Sequence, residues 1–219
     1  MSSPAILSTG KDTWRTPPEL LHALDAEFGF AVDLAASDDA VAFPGRLHVP
    51  PEAGPQGSLG VNWSAWCART DRWRQWPRLV GFLNPPYSTK GGLGRGLLAW
   101  HEKAWEESRN GWTTVLLCPP RPGVTWFWRY ALRADEVRYF AQRLEFVDPD
   151  PATKKRRGNT QASCLVIYRP HVPLAGWVGG PRQSWWHRVP RRPVWRCEQD
   201  GRTMPPRWTP PAEIEEVSP

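Results

Sequence analysis

The sequence predicts an α/β fold built around a mostly parallel β-sheet. Short apolar runs that predict buried strands alternate along the chain with segments of helical periodicity, and this alternation is typical of layered α/β domains. After about residue 169 the hydrophobic periodicity gives way to proline, tryptophan and arginine. We therefore expect an α/β domain over residues 1–168, followed by a C-terminal extension over residues 169–219 that is extended or partly disordered.

The first predicted elements are a helix and a strand. Residues 16–28 have amphipathic spacing, with Thr16 as the expected N-cap and prolines in the first turn. Residues 30–34 form an apolar run that predicts a buried strand with Asp33 at its carboxyl end. The Pro- and Gly-rich residues 43–60 that follow predict an irregular loop.

The middle of the chain predicts a further strand between two helical segments. Residues 62–78, in which tryptophan and arginine are interleaved, predict an amphipathic insert or short helix. Residues 80–83 predict a second buried strand, which ends before two prolines because proline cannot donate to a strand ladder. A glycine-rich loop over residues 91–96 leads into a predicted helix over residues 97–108.

The last predicted elements continue the alternation. Residues 113–118 predict a strand and residues 125–132 an aromatic helix, while the polar, basic residues 148–161 predict a loop. Three more strands are expected at residues 136–140, 144–147 and 164–168. In a parallel sheet, ligands bind beyond the carboxyl ends of the strands, and both Asp33 and Asn84 fall at such ends.

The composition narrows the classes of function. The 219 residues carry 28 Lys+Arg and 22 Asp+Glu, a net charge of +6, and this basic balance favours a polyanionic partner. No apolar run approaches the roughly 20 residues of a membrane helix, and the N-terminus lacks the order of a signal peptide, so we expect a cytoplasmic protein without a membrane partner. Four dispersed cysteines without a CxxC pair predict neither a disulfide framework nor a metal site.

Residues 84–87, Asn-Pro-Pro-Tyr, are the most informative segment for chemistry. An exocyclic amino group such as that of adenine is a poor nucleophile, because its lone pair is delocalised into the ring. The Asn84 amide oxygen and the Pro85 carbonyl can accept both amino hydrogens, since Pro86 restricts the backbone and exposes that carbonyl. Tyr87 can stack on a base extruded from its duplex. The alternative is a tight turn without chemistry.

Several other segments accompany this motif in one order and spacing. The clearest are residues 12–17, 27–30, 33–37, 62–64 and 82–88, with weaker similarity at residues 116–127, 143–146 and 163–168. In these segments the sequence resembles the phage-type DNA N6-adenine methyltransferases, often called phage Dam-like. The resemblance implies a Rossmann-like, S-adenosylmethionine-dependent enzyme that methylates a flipped adenine in double-stranded DNA. It also implies a phage or prophage protein in a bacterial host.

The resemblance also implies roles for individual residues. The base and its amino group would be held by Asn84, Pro85, Pro86 and Tyr87. The cofactor's methionine end would be walled by Trp14, Thr16 and Pro17, and the cofactor would lie above Asp33, Ala35 and Ser37. Asn62, which stands where the family usually has an acidic residue, would contact the cofactor's adenine.

Basic residues near these segments are the candidates for contacts with DNA phosphates. They are Lys90, Arg95, Arg121, Lys154, Lys155, Arg156 and Arg157. The last four lie in a predicted loop between two strands, and the alternative for them is a solvated loop that contacts no DNA.

Two other functions fit the same residues. Asn-Pro-Pro-Tyr also occurs in methyltransferases that act on RNA bases or on protein glutamine side chains, because an amide-like nitrogen poses the same hydrogen-bonding problem. A catalytically silent nucleic-acid-binding homologue would keep the fold without the activity. The basic loops favour a nucleic acid over a protein as the acceptor.

Overall fold

A computed structural model of the chain describes residues 15–36, 42–43, 46–49, 57–76, 78–87, 96–148, 156–158, 161–170 and 182–186. The helices are α1 (Pro18–Phe28), α2 (Trp63–Cys67), α3 (Leu97–Arg109) and α4 (Thr125–Arg129). The strands are β1 (Val32–Asp33), β2 (Leu47–His48), β3 (Val80–Leu83), β4 (Thr113–Cys118), β5 (Glu136–Phe140), β6 (Glu145–Val147), β7 (Arg156–Gly158), β8 (Cys164–Tyr168) and β9 (Arg182–Trp186).

Most of these strands form one mixed sheet. Within the described residues its seven strands have the order β2-β1-β3-β4-β8-β5-β9. The strands β2, β1, β3 and β4 pair in parallel, β8 is antiparallel to both of its neighbours, and β9 is parallel to β5. The prediction of an α/β fold with a mostly parallel sheet is therefore confirmed, and the architecture is compatible with a methyltransferase-like fold.

Two apolar layers hold the helices against the sheet. On one face, Leu20 and Leu24 of α1 pack with Phe82 and Leu117. On the other face, α2, α3 and α4 pack against alternate residues of the same strands, such as Leu116. Because neighbouring residues of a strand point to opposite faces, a strand covered on both faces must be largely apolar, as β3 and the last four residues of β4 are.

The helix α1 begins one residue later than the sequence predicts. Pro17, not Thr16, occupies the N-cap position, and no side chain caps the helix. Pro17 itself precedes a proline, and a residue in that position is sterically biased towards an extended backbone, so Pro17, with a ψ of 132°, is not yet helical. The helix ends, as expected, before Gly29, whose φ of 63° lies in the left-handed region.

Two segments predicted as loops contain strands, and these predictions were wrong in part. Within residues 43–60, β2 pairs in parallel with β1. Within residues 148–161, β7 pairs with β6 in an antiparallel hairpin. Both strands are only two or three residues long, so they depend on hydrogen bonds to a neighbour that local periodicity does not reveal.

The sheet also includes a strand from the predicted C-terminal extension. Residues 182–186 form β9, which pairs with β5 from Glu136 opposite Arg182 to Phe140 opposite Trp186. The other residues beyond 170 lie outside the described part of the chain. The boundary at residue 168 stays a prediction.

The helices and cysteines of the described residues can be compared with the expectations from composition. None of the described helices is long and apolar enough to cross a membrane. Cys67, Cys118 and Cys164 are buried free thiols.

Candidate active site

The carboxyl ends of β1 and β3 lie side by side. Asp33 is opposite Phe82 in the parallel register, and the Leu34 amide donates to the Phe82 carbonyl at 2.8 Å. Asn84 follows the last residue of β3 directly. The two strand ends that the sequence selected as ligand positions therefore meet at one edge of the sheet.

The Asn84 side chain is held at both ends of its amide. Its Nδ2 donates to the Thr16 hydroxyl at 3.0 Å, and its Oδ1 accepts from the Tyr87 hydroxyl at 3.2 Å. The Tyr87 hydroxyl also lies 3.3 Å from the Leu117 carbonyl oxygen on β4. Residues from three separate parts of the chain thus fix the orientation of one amide.

The remaining residues of the motif differ in their exposure. Pro85 is buried, Pro86 is exposed, and Tyr87 is half-buried and packs against the apolar layer beneath α3. Two successive prolines have fixed φ and no N–H groups, so this turn cannot continue the strand. The structure places all four predicted residues together at the edge of the sheet.

Thr16 lies in a short segment that joins the site to the β6–β7 hairpin. The preceding residue, Arg15, exchanges two backbone hydrogen bonds of 2.9 Å with Val147 of β6. Thr16 itself is only 6% exposed, and Pro17 is also buried. Sequence reasoning selected Thr16 but did not anticipate its contact with Asn84, because the two residues are 68 positions apart.

Asp33 organises the turn that follows β1. Its carboxylate accepts from the backbone N–H of Ala35 at 3.2 Å and from that of Ala42 at 2.8 Å. Burial raises the pKa of Asp33 from 3.8 to about 6, although these two hydrogen bonds and the charge of His48 act in the opposite direction. Asp33 therefore shapes the turn, in which Ala35 and Ala36 are small residues.

Asn62 is used locally as a helix cap. Its side-chain oxygen accepts from the Ala65 backbone N–H at 2.8 Å at the start of α2, and the residue is exposed. Trp63, the next residue, is fully buried and donates its indole N–H to Ser58. The predicted contact between Asn62 and the cofactor's adenine is untested and stays a prediction.

The predicted DNA-contacting residues are distributed over several segments. Arg121, which follows β4, is half-buried and donates to the Gln161 side chain at 3.1 Å. Arg156 and Arg157 lie on β7. The other predicted site residues lie outside the described part of the chain, namely Trp14, Ser37, Lys90, Arg95, Lys154 and Lys155.

A buried polar pair that the sequence did not reveal lies beneath α4. His101 of α3 is fully buried, and its Nδ1 lies 2.6 Å from the Tyr168 hydroxyl. Its ring stacks on Trp126 with the ring centroids 4.5 Å apart. Burial lowers the pKa of His101 from 6.5 to about 3, so the imidazole is neutral at ordinary pH and supports α4.

A sequence model of a family described as DNA N-6-adenine-methyltransferase (Dam) matches residues 62–188, more than half of the 219 residues. The match includes the Asn84 motif and the β6–β7 hairpin but not Thr16 or Asp33. No curated protein matches the chain. The resemblance found in the sequence is thereby confirmed, and the chain belongs to the DNA N-6-adenine-methyltransferase (Dam) family.

Proposed function

We propose that the chain methylates the N6 amino group of a flipped adenine in double-stranded DNA, with S-adenosylmethionine as the methyl donor. The observation that carries this proposal is the Asn84 amide, held by Thr16 and Tyr87 at the carboxyl end of β3 in a chain of the Dam family. DNA methyltransferases of this family generally use S-adenosylmethionine.

The hydrogen-bonding capacity of Asn84 suits an amino-group substrate. An amide oxygen has two lone pairs, and the Tyr87 hydroxyl uses one of them. The second can accept one adenine N6 hydrogen, and the Pro85 carbonyl oxygen can accept the other. Two acceptors on one amino group favour a pyramidal nitrogen, which localises the lone pair that attacks the methyl group.

The position of Tyr87 suits a base taken out of its duplex. Its ring is half-buried against the protein core, and its hydroxyl is anchored to Asn84 and lies near the Leu117 carbonyl. A ring fixed in this way can stack on a flipped adenine while Asn84 receives the amino group. Stacking and amino-group recognition therefore come from the same four-residue turn.

The residues at the edge of the sheet fit the proposed methyl donor. The Thr16 hydroxyl is buried and, among the described residues, its hydrogen has no acceptor, so it is available to a carboxylate such as that of the methionine end. Ala35 and Ala36, after Asp33, carry only methyl side chains, so no bulky group there would keep a flat ligand from the turn. When bound, S-adenosylmethionine supplies a sulfonium methyl: the N6 lone pair forms the N–C bond, the C–S pair stays on sulfur, and N6 releases one proton to water.

The basic residues suit binding to the DNA backbone. The β6–β7 hairpin is hydrogen-bonded through Val147 to the segment that contacts Asn84. Lys154, Lys155, Arg156 and Arg157 belong to this hairpin or its connection. We propose that they contact phosphates on the side of the target base, together with Lys90, Arg95 and Arg121.

The experiment that tests the proposal identifies the methylated product. Purified protein is incubated with isotope-labelled S-adenosylmethionine and, in parallel reactions, with unmethylated duplex DNA, RNA or protein, and the digested products are analysed by mass spectrometry. We expect N6-methyladenine with the wild type, none with Asn84→Ala, and an unchanged amount with Asn110→Ala. Asn110 is an exposed asparagine at the end of α3, so this variant controls for loss of an amide elsewhere.

Other outcomes would contradict the proposal. Label in RNA or in protein glutamine, with none in DNA, would assign a different acceptor. Binding of S-adenosylmethionine and DNA without methyl transfer to any acceptor would identify a catalytically silent homologue.

A further inference from the structure

We propose that Thr16 is a positioning residue that turns the Asn84 amide oxygen towards the base, and that it does so when a ligand accepts the Thr16 hydroxyl hydrogen. This inference rests on the proposed function, because the ligand we assign is the carboxylate of the methyl donor's amino-acid end. The juxtaposition that carries it is the chain of hydrogen bonds from Thr16 through Asn84 to Tyr87.

The Asn84 amide can lie in this chain in two orientations. In the structure its nitrogen donates to Thr16 and its oxygen faces Tyr87. A half-turn of the amide would place the oxygen at Thr16 and the nitrogen at Tyr87. Only the first orientation offers an acceptor to an amino group on the Tyr87 side, because an amide nitrogen is a donor only.

The reversed orientation is chemically satisfied as well. The Tyr87 hydroxyl could donate to the Leu117 carbonyl, 3.3 Å away, and accept from the Asn84 nitrogen. The Thr16 hydroxyl would then donate to the Asn84 oxygen. The two networks therefore differ in the direction of the Thr16 hydroxyl hydrogen. This direction decides whether the Asn84 oxygen faces Tyr87, where it can accept from an amino group, or faces Thr16, where it cannot.

The surroundings of Thr16 make this hydrogen responsive to a ligand. The residue is 6% exposed, and in the described part of the chain the Asn84 amide is its hydrogen-bond partner. A buried donor gains free energy by finding an acceptor. If a carboxylate takes the hydrogen, the Thr16 oxygen can only accept, so the Asn84 nitrogen turns to it and the Asn84 oxygen faces the base.

A consequence is that the two substrates bind cooperatively. A ligand that accepts from Thr16 favours the amide orientation that also binds the adenine amino group. By linkage, the base then strengthens binding of that ligand by the same factor. Cofactor and target base are thereby coupled through one hydroxyl group.

The kinetic test compares Thr16→Val with Thr16→Ser. Valine keeps the shape of threonine but lacks the hydroxyl, whereas serine keeps the hydroxyl. At saturating S-adenosylmethionine and DNA we expect kcat to fall about fivefold in Thr16→Val, the size expected for one lost hydrogen bond, and to stay within about twofold in Thr16→Ser. A raised KM for S-adenosylmethionine with unchanged kcat in Thr16→Val would overturn the proposal, because Thr16 would then contribute to cofactor binding and not to the orientation of Asn84.

A spectroscopic test does not depend on turnover. The chain has four asparagines, at positions 62, 84, 110 and 159, so selective ¹⁵N labelling gives few side-chain amide signals, and Asn84→Ala identifies the signal of Asn84. Sinefungin, an unreactive analogue with the amino-acid carboxylate, should shift the Asn84 signal in the wild type and in Thr16→Ser. It should not shift this signal in Thr16→Val.

The matched ligand is 5′-methylthioadenosine, which lacks the carboxylate and should bind without shifting the Asn84 signal. An equal shift with both ligands, or a shift that persists in Thr16→Val, would overturn the proposal. A Thr16-dependent shift in a protein that methylates no DNA would refute the proposed function while leaving the role of Thr16 intact.

Discussion

Thr16 shows how far a single residue can be understood from sequence. Its type and its neighbour Pro17 predicted a helix cap, and the family resemblance predicted a cofactor wall. In the structure the Thr16 hydroxyl oxygen accepts a hydrogen bond from Asn84, which is 68 positions away. A contact between residues so far apart cannot be predicted from the spacing of neighbouring residues. Asn84 itself was predictable, because its motif follows an uninterrupted apolar strand.

The Tyr87 hydroxyl should contribute to turnover. Tyr87→Phe keeps the ring but removes the hydrogen bond to the Asn84 oxygen and the approach to the Leu117 carbonyl. One such bond contributes about 1 kcal/mol, so we expect kcat for DNA methylation to fall about fivefold, with little change in DNA affinity. Tyr130→Phe is the control, since it removes a hydroxyl that donates to Glu102 at 3.1 Å. Equal loss of kcat in both variants would argue against a specific role for Tyr87.

Asp33 should make the stability of the protein depend on pH. Because burial raises its pKa from 3.8 to about 6 in the folded state, the protonated carboxyl favours folding below about pH 4. That contribution is lost as the pH rises through 6, and a pKa that differs by one between the folded and unfolded states corresponds to about 1.4 kcal/mol. Relative to Asp33→Asn, the wild type should therefore lose about 2 kcal/mol of unfolding free energy between pH 4 and pH 7.

Urea unfolding of both proteins at unit steps of pH measures this difference. Titratable groups that do not interact with Asp33 cancel in the comparison to first order. A difference that stays constant from pH 4 to pH 7 would show that Asp33 has an ordinary pKa in the folded protein.

The predicted strand bounds were correct for strands that are buried on both faces, because burial there requires apolar residues. The bounds of β3, β4 and β8 agree with the predicted runs at residues 80–83, 113–118 and 164–168, because strands covered on both faces are largely apolar. The short strands β2 and β7 were missed, since their formation depends on β1 and β6. The same limit applies to β9, which was expected only as part of an extended segment.

The close packing of β1 and β3 should make Gly81 intolerant of a side chain. A Cβ at Gly81 would lie 2.7 Å from the Cγ of Leu34, and Leu34 is fully buried. Gly81→Ala should therefore destabilise the fold by about 1–3 kcal/mol, the usual cost of overpacking. The free energy of urea unfolding measures this cost.

A double-mutant cycle with Leu34→Ala tests the cause. Shortening Leu34 removes the obstructing atoms, so adding Gly81→Ala in that background should cost at least about 1 kcal/mol less than in the wild type. Gly123→Ala is the matched control, because its Cβ would meet no atom within 4 Å. Additive costs at positions 81 and 34 would refute the packing explanation.

The whole molecule has two apolar layers, one on each face of the sheet, and an excess of positively charged residues. Long-range ion pairs add to this core: Arg138 of β5 binds Glu27 of α1 through two hydrogen bonds of 2.6 Å and also binds Glu136. Arg138 and Glu27 are 111 positions apart, so the sequence could not pair them. The net charge of +6 could be counted from the sequence, but the positions of the charged side chains in the folded protein could not be predicted from it.

The basic hairpin should account for part of the salt dependence of DNA binding. Replacing both Lys154 and Lys155 by glutamine should reduce the slope of log Kd against log salt by up to about 1.8, or about 0.9 for each phosphate that a lysine no longer neutralises. Fluorescence anisotropy with a labelled duplex at several salt concentrations measures this slope.

A control with the same loss of net charge separates local contact from general attraction. Arg78 and Arg109 are exposed and lie near the amino ends of β3 and β4, away from the proposed site. Replacing both by glutamine should change the slope less than the Lys154 and Lys155 pair does. An equal reduction of the slope by both pairs of substitutions would mean that the salt dependence of DNA binding reflects net charge and not contacts made by Lys154 and Lys155.

The adjacency of Arg15 and Thr16 bears on fidelity. Arg15 is tied to the hairpin through Val147, and the next residue is tied to the amide that would receive the target base. A near-cognate site that distorts the hairpin would therefore also shift Thr16, one peptide unit from Arg15, and with it the Asn84 amide that is hydrogen-bonded to Thr16. Discrimination between correct and incorrect DNA sites should then appear in the rate of methyl transfer more than in the strength of binding.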